Sequence, residues 1–119
     1  MKQLYELHAE ICKTLGNPKR IELINLLRGG ELSVAELLQD TGLLKANLSQ
    51  HLAVMRSKGI VKARKEGLSA YYRIANPKIV KACDLMRAVL FESMKERQKV
   101  LKKWGKKNYM ILELRAAEK

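Results

Sequence analysis

Residues 31–59 read ELSVAELLQDTGLLKANLSQHLAVMRSKG. Ser33 and Glu36 stand three apart ahead of an apolar run. This is the spacing of a capping box, in which a hydroxyl and a carboxylate satisfy each other's free backbone amides. A short helix is expected to start there, with Val34, Leu37 and Leu38 facing inward, and Asp40-Thr41-Gly42 breaks it. A longer helix follows from about Leu44 to Lys58. It carries Leu44, Leu48, His51, Leu52 and Met55 on one face, and Gly59 ends it. Two helices joined by a short turn containing glycine predict a helix-turn-helix.

Upstream, two more helices are expected. Leu4, Leu7, His8, Ile11, Cys12 and Leu15 form one helical stripe that Gly16 closes. Asn17-Pro18 then places an N-cap before a proline at the first helical position, where a missing N–H costs nothing. Ile21, Leu23, Ile24, Leu26 and Leu27 make this second helix apolar over a wide arc, which predicts a central position, and Gly29-Gly30 stops it.

Downstream, the period changes from helical to alternating. Ile60 to Arg64 and Leu68 to Ile74 are expected as two short strands around a turn at Lys65-Glu66-Gly67. Asn76-Pro77 repeats the capping device and launches a long helix with Ile79, Ala82, Cys83, Met86, Val89, Leu90 and Met94 in register. A basic segment follows, and Tyr109 to Lys119 reads as a helical extension or a frayed tail. The fold expected is mainly α with a small β-hairpin wing, a winged helix-turn-helix. One domain is expected over residues 1–98, with a basic extension at residues 99–119.

Composition narrows the function classes. Lys and Arg number 24 against 12 Asp and Glu, a net charge of +12 on 119 residues. Such a surplus on one small domain attracts polyanions, nucleic acid first and an anionic membrane second. No apolar run approaches a membrane span, and the N-terminus lacks the apolar stretch of a signal peptide. The two cysteines, Cys12 and Cys83, form neither a disulfide framework nor a metal knuckle, so a reducing cytoplasm is expected. With no phosphate-binding glycine loop, no acid–base pair and no nucleophile beside a base, the sequence does not read as an enzyme.

The longer helix of the pair is expected to enter the DNA major groove. Opposite its apolar face lie Ala46, Ser49, Gln50, Ala53 and Ser57, flanked by Lys45, Asn47 and Arg56. Small side chains let the helix axis approach the bases. Gln50 and Asn47 carry the donor–acceptor pair that reads adenine, and Lys45 reaches guanine or a phosphate. An ordinary solvated face would be richer in Glu and Lys. Lys62, Arg64, Lys65 and Arg73 put positive charge on the hairpin, as a wing uses on phosphates. Of the adjacent Tyr71 and Tyr72, one is expected to face the core and the other the surface.

The ordered set from Leu15-Gly16-Asn17-Pro18-Lys19-Arg20, through Glu31 to Leu37 and Leu48 to Met55, to Gly67 and Tyr72-Arg73 resembles the arsenical-resistance-repressor (ArsR/SmtB) family. The likeness runs from about residue 8 to residue 94. It implies a homodimer through the first and last helices, bound to an inverted-repeat operator in double-stranded DNA and released by an inducer. The family's metal sites do not carry over. Its cysteine-bearing motif, ELCVCDL, has Ser33 and Ala35 at the thiol positions here, and its last-helix site falls on Asn76, Lys78, Val89 and Glu92, with one possible ligand left. No metal or other cofactor is therefore expected.

Cys12 and Cys83, one on each helix of the implied interface, are candidate thiol sensors for an oxidant or persulfide. The competing reading makes both small buried hydrophobes. His8, one turn before Cys12, offers a weaker metal alternative, and His51 reads as structural. A basic RNA- or ribosome-associated winged-helix module without inducer sensing is the alternative function, which gel shifts with matched DNA and RNA duplexes separate.

Overall fold

The computed structural model describes residues 1–104. Five helices and three strands follow in the order α1 (Lys2–Leu15), α2 (Pro18–Leu27), β1 (Leu32–Ser33), α3 (Val34–Thr41), α4 (Lys45–Ser57), β2 (Val61–Glu66), β3 (Ser69–Ile74) and α5 (Lys78–Trp104). They divide into two compact units, one from Met1 to Cys83 and one from Asp84 onward. The last helix runs on past residue 98 to Trp104, so the described part of the basic extension, 99–104, is helical. The expectation for Tyr109 to Lys119 lies outside the described residues.

Local chemistry accounts for the helix limits of the first unit. Asn17 accepts backbone N–H bonds from Lys19 at 3.0 Å and Arg20 at 3.2 Å, with Pro18 at the head of α2. The capping box at Ser33 forms in both directions. The Ser33 hydroxyl accepts from the Glu36 amide at 3.1 Å, and the Glu36 carboxylate accepts from the Ser33 amide at 3.2 Å. Gly42 closes α3 with φ of 67°, the left-handed conformation that a Cβ disfavours, and its amide donates to the Leu38 carbonyl at 2.9 Å.

The core lies beneath the helix-turn-helix. Leu23, Ile24 and Leu27 of α2, Leu37 of α3, Leu48, Leu52 and Met55 of α4, and Ile60 and Val61 are buried. Leu48, Leu52 and Met55 recur at i, i+4 and i+7, so one stripe of α4 supplies three of them. Tyr72, Ile74, Ile79, Val80 and Cys83 pack on the margin of this cluster.

Several expectations need correction. Leu44 is the N-cap of α4 and 73% exposed, because the helix starts one residue later than expected. The strands extend to Glu66 and from Ser69, leaving a two-residue loop, Gly67-Leu68. Gly67, at φ of 61°, occupies the first loop position, which favours glycine, and Leu68 is fully exposed. The hairpin is also not alone. Leu32 and Ser33 pair antiparallel with Tyr72 and Tyr71, giving a three-stranded sheet in the order β1-β3-β2. Leu4, Leu7 and Ile11 of the α1 stripe are 53%, 66% and 41% exposed, and this helix buries Thr14 instead.

Candidate nucleic-acid interface

The buried stripe of α4 fixes which residues face outward. Lys45, Ala46, Asn47, Ser49, Gln50, Ala53, Arg56 and Ser57 are all exposed. No carboxylate occurs between Lys45 and Ser57. Ser57 donates to the Val54 carbonyl at 2.7 Å, so its hydroxyl is engaged within the helix. Ser49, Asn47 and Gln50 present polar groups over small neighbours, and Lys45 brings positive charge to the same helix.

Two contacts brace this helix from behind. The Arg20 Nε–H donates to His51 Nδ1 at 3.2 Å, and its Nη1 donates to the Thr14 carbonyl at 3.3 Å. One guanidinium thereby ties α4 and the end of α1 to α2. Accepting at Nδ1 requires an unprotonated nitrogen there. Burial, and secondarily the Arg20 charge, hold the His51 imidazole below its ordinary value. At the far end, Lys58, the C-cap of α4, pairs with Glu10 of α1. This pairing holds the Glu10 carboxyl below its usual range, chiefly through the hydrogen bond from Lys58.

The wing carries its charges unevenly. Lys62, Arg64 and Glu66 alternate along β2 and share the outer sheet face, whereas Lys65 lies on the opposite face. Arg64 is engaged by two acid partners. Its Nε–H donates to both Glu31 oxygens at 2.9 Å, Nη2 lies 2.7 Å from Glu31 Oε1, and Nη1 donates to Glu66 Oε2 at 2.8 Å. The Glu31 carboxyl is held below its usual range, mainly by the Arg64 hydrogen bond. The guanidinium also lies 4.6 Å above the Tyr71 ring, while Tyr72 packs towards the core, dividing the two tyrosines as expected. Lys45, Arg56, Lys62 and Lys65 make no ion pair among the described residues. Arg56, Lys62 and Arg73 line one open cleft between the end of α4 and the sheet, about 390 Å³ in volume.

The candidate thiols differ. Cys12 is exposed, contrary to the reading that buries it, as are Leu4, Leu7 and Ile11 of the same α1 stripe. Cys83 is half-buried against the core. No group of three or more His, Cys, Asp or Glu among the described residues is placed to hold a metal ion. No helix among them is long and apolar enough to cross a membrane.

Sequence reasoning missed Arg20, Glu10, Glu31 and Glu66 as partners of these functional elements. Only the Arg64–Glu66 pair had a readable signal, two opposite charges two residues apart on one strand face. The others join residues far apart in sequence: 31 positions for Arg20–His51, 48 for Lys58–Glu10 and 33 for Arg64–Glu31.

Known proteins share this arrangement. The profile described as "Bacterial regulatory protein, arsR family" matches residues 17–63, from the α2 cap into β2. The chain is 44% identical over 99 residues to the uncharacterized HTH-type transcriptional regulator Rv0081 of Mycobacterium tuberculosis, spanning 82% of this chain and 87% of that protein. The crystal structure of Rv0081 superposes with a TM-score of 0.73, covering 79% of this chain and 95% of that one. A solution structure from Mycobacterium bovis superposes at a TM-score of 0.72 with 32% identity, covering 80% and 88%. It is described as a homodimeric winged helix-turn-helix DNA-binding domain of a possible ArsR-family regulator. The transcriptional repressor PagR of Bacillus anthracis is 39% identical over 72 residues, 60% of this chain and 72% of that repressor. On this likeness of sequence and fold, the chain belongs to the arsR family of bacterial regulatory proteins and is a winged helix-turn-helix transcriptional regulator, not an enzyme.

Proposed function

We propose that this regulator is a cytoplasmic repressor that binds an inverted-repeat operator as a homodimer and is released by an inducer. The observation that carries the reading is the exposed face of α4, free of carboxylates and built of small and amide side chains, on the same unit as a basic wing. Ala46, Ala53 and Ser49 let the helix backbone approach the groove floor. Gln50 and Asn47 read base edges, while Lys45, Arg56, Lys62 and Lys65 neutralise phosphates.

The test separates these roles. Gln50→Ala weakens binding to an operator selected from genomic fragments by about 1–3 kcal/mol, and barely changes binding to a mixed-sequence duplex. Lys65→Ala weakens both alike and lowers the salt slope by about 0.9. Equal losses on both duplexes for both variants sink the assignment of α4 as the reading helix. Tighter binding to a matched RNA duplex than to DNA supports an RNA-associated module instead.

The inducer acts in this proposal through thiols. Cys12 lies between Glu10, which pairs with the C-cap of α4, and Thr14, whose carbonyl holds the arginine bonded to His51 of α4. A disulfide or persulfide at Cys12 perturbs a helix with two ties to the reading helix. Disulfide formation with Cys83, within or between chains, passes two electrons to the oxidant and releases two protons. Wild type, Cys12→Ser and Cys83→Ser are compared in operator binding with and without a disulfide or persulfide donor. Wild-type affinity that stays constant under treatment, or mutants that respond as wild type does, moves the inducer away from the thiols.

A further inference from the structure

Arg64 stands on β2, Tyr71 on the middle strand β3, and Glu31 immediately before β1 on the far side. Arg64 is the register partner of Tyr71, and Tyr71 is the partner of Ser33. The Arg64 side chain therefore crosses the sheet over the Tyr71 ring at 4.6 Å and closes on Glu31 beyond it, with Nη2 2.7 Å from Oε1. Glu66 takes the remaining nitrogen at 2.8 Å.

Two consequences follow. First, every guanidinium nitrogen already faces a carboxylate, and one positive charge is set against two negative ones. A DNA phosphate brought to this point competes with both carboxylates for the guanidinium. Second, β2 bonds only to β3 within the sheet, so beyond the buried Val61 its outer part is held by that one ladder. Glu31 precedes Ser33, the N-cap of α3, so Arg64 fastens the wing to the start of the helix-turn-helix.

We propose that Arg64 is a positioning residue. With Glu31 and Tyr71 it fixes the wing relative to α3, and it makes no phosphate contact of its own. The proposal rests on the DNA-binding reading above and removes Arg64 from the contact set expected from sequence.

The sign of one substitution discriminates. If Arg64 were a phosphate contact, Glu31→Gln would free it, remove an acid and tighten DNA binding. A brace predicts the reverse. Glu31→Gln and Arg64→Gln each weaken binding to a mixed-sequence duplex by roughly three- to tenfold, and the double variant is no worse than either. Arg64→Gln leaves the salt slope of the wild type, whereas Lys65→Ala lowers it by about 0.9. Arg64→Lys does not rescue, because an ammonium cannot meet Glu31 through two nitrogens while lying flat over the Tyr71 ring.

A second measurement needs no DNA. Backbone amide exchange across Val61–Glu66 and Ser69–Ile74 quickens in Glu31→Gln and Arg64→Gln alike, with α4 unchanged. Tighter binding by Glu31→Gln, rescue by Arg64→Lys, or exchange equal to wild type overturns the brace. A wild-type protein that binds no duplex overturns the DNA reading instead, and amide exchange still decides whether Arg64 braces the wing.

Discussion

His51 sits on α4 but faces away from that helix's exposed side. Its spacing with Leu48, Leu52 and Met55 points it inward, and the structure half-buries it against Arg20. Its folded-state pKa lies below the ordinary 6.5, with burial as the larger cause and Arg20 as the second. The unfolded chain therefore binds more protons than the folded one once pH falls below about 6.5. The stability that His51 contributes is whole above that pH and is lost as pH falls through the folded value. Urea denaturation between pH 7.5 and 5 should show this loss, and His51→Gln, which cannot titrate but can still accept from Arg20, should flatten it. A wild-type slope retained in His51→Gln assigns the effect to another group. The inward direction of His51 was legible from helical period alone. Its partner was not, because nothing in a local pattern selects Arg20 among 24 basic residues.

At the scale of elements, what was legible had local causes. The capping box at Ser33 and the Asn17-Pro18 start depend on residues within three positions of each other, and both form as expected. The buried stripe of α4 obeys its period except at Leu44, where the cap precedes the helix. The strand β1 was not legible, because two residues are too few to establish an alternation and its pairing is set by β3. Leu68 was misread as strand because apolar character outweighed the preference of the preceding glycine for a turn. Stability tests follow the same division. Ser33→Ala should lower unfolding free energy by about 1 kcal/mol through loss of the cap. Leu48→Ala, at a site with no solvent exposure, should cost about 2–5 kcal/mol by leaving a cavity. Leu68→Ser should leave denaturation within about 0.5 kcal/mol of wild type. A Leu68 variant as damaging as Leu48→Ala would return that residue to the core.

Each of the two units exposes large apolar side chains. On α5, Leu85, Met86, Val89, Leu90 and Phe91 are each more than half exposed, and on α1 Leu4, Tyr5 and Leu7 are as well. Exposed apolar patches mark interaction surfaces, and a twofold lets one patch cover its own copy. The expected occupant is therefore a second chain, through the first and last helices. In the proposed function, dimerisation bears directly on DNA affinity, since two copies of α4 would meet half-sites about one helical turn apart. Leu90→Glu places a charge in the apolar face of α5 without touching the buried cluster around α4. Light scattering should find the variant monomeric where wild type is dimeric, with the unfolding of the first unit unchanged. Its affinity for an inverted repeat should fall to that for a single half-site, because the second contact is no longer delivered at high effective concentration. A Leu90→Glu protein that stays dimeric takes Leu90 out of the interface, and a monomeric wild type removes the twofold altogether. If the variant is monomeric and still binds the inverted repeat as tightly as wild type, one reading head suffices and the operator is not read as a palindrome.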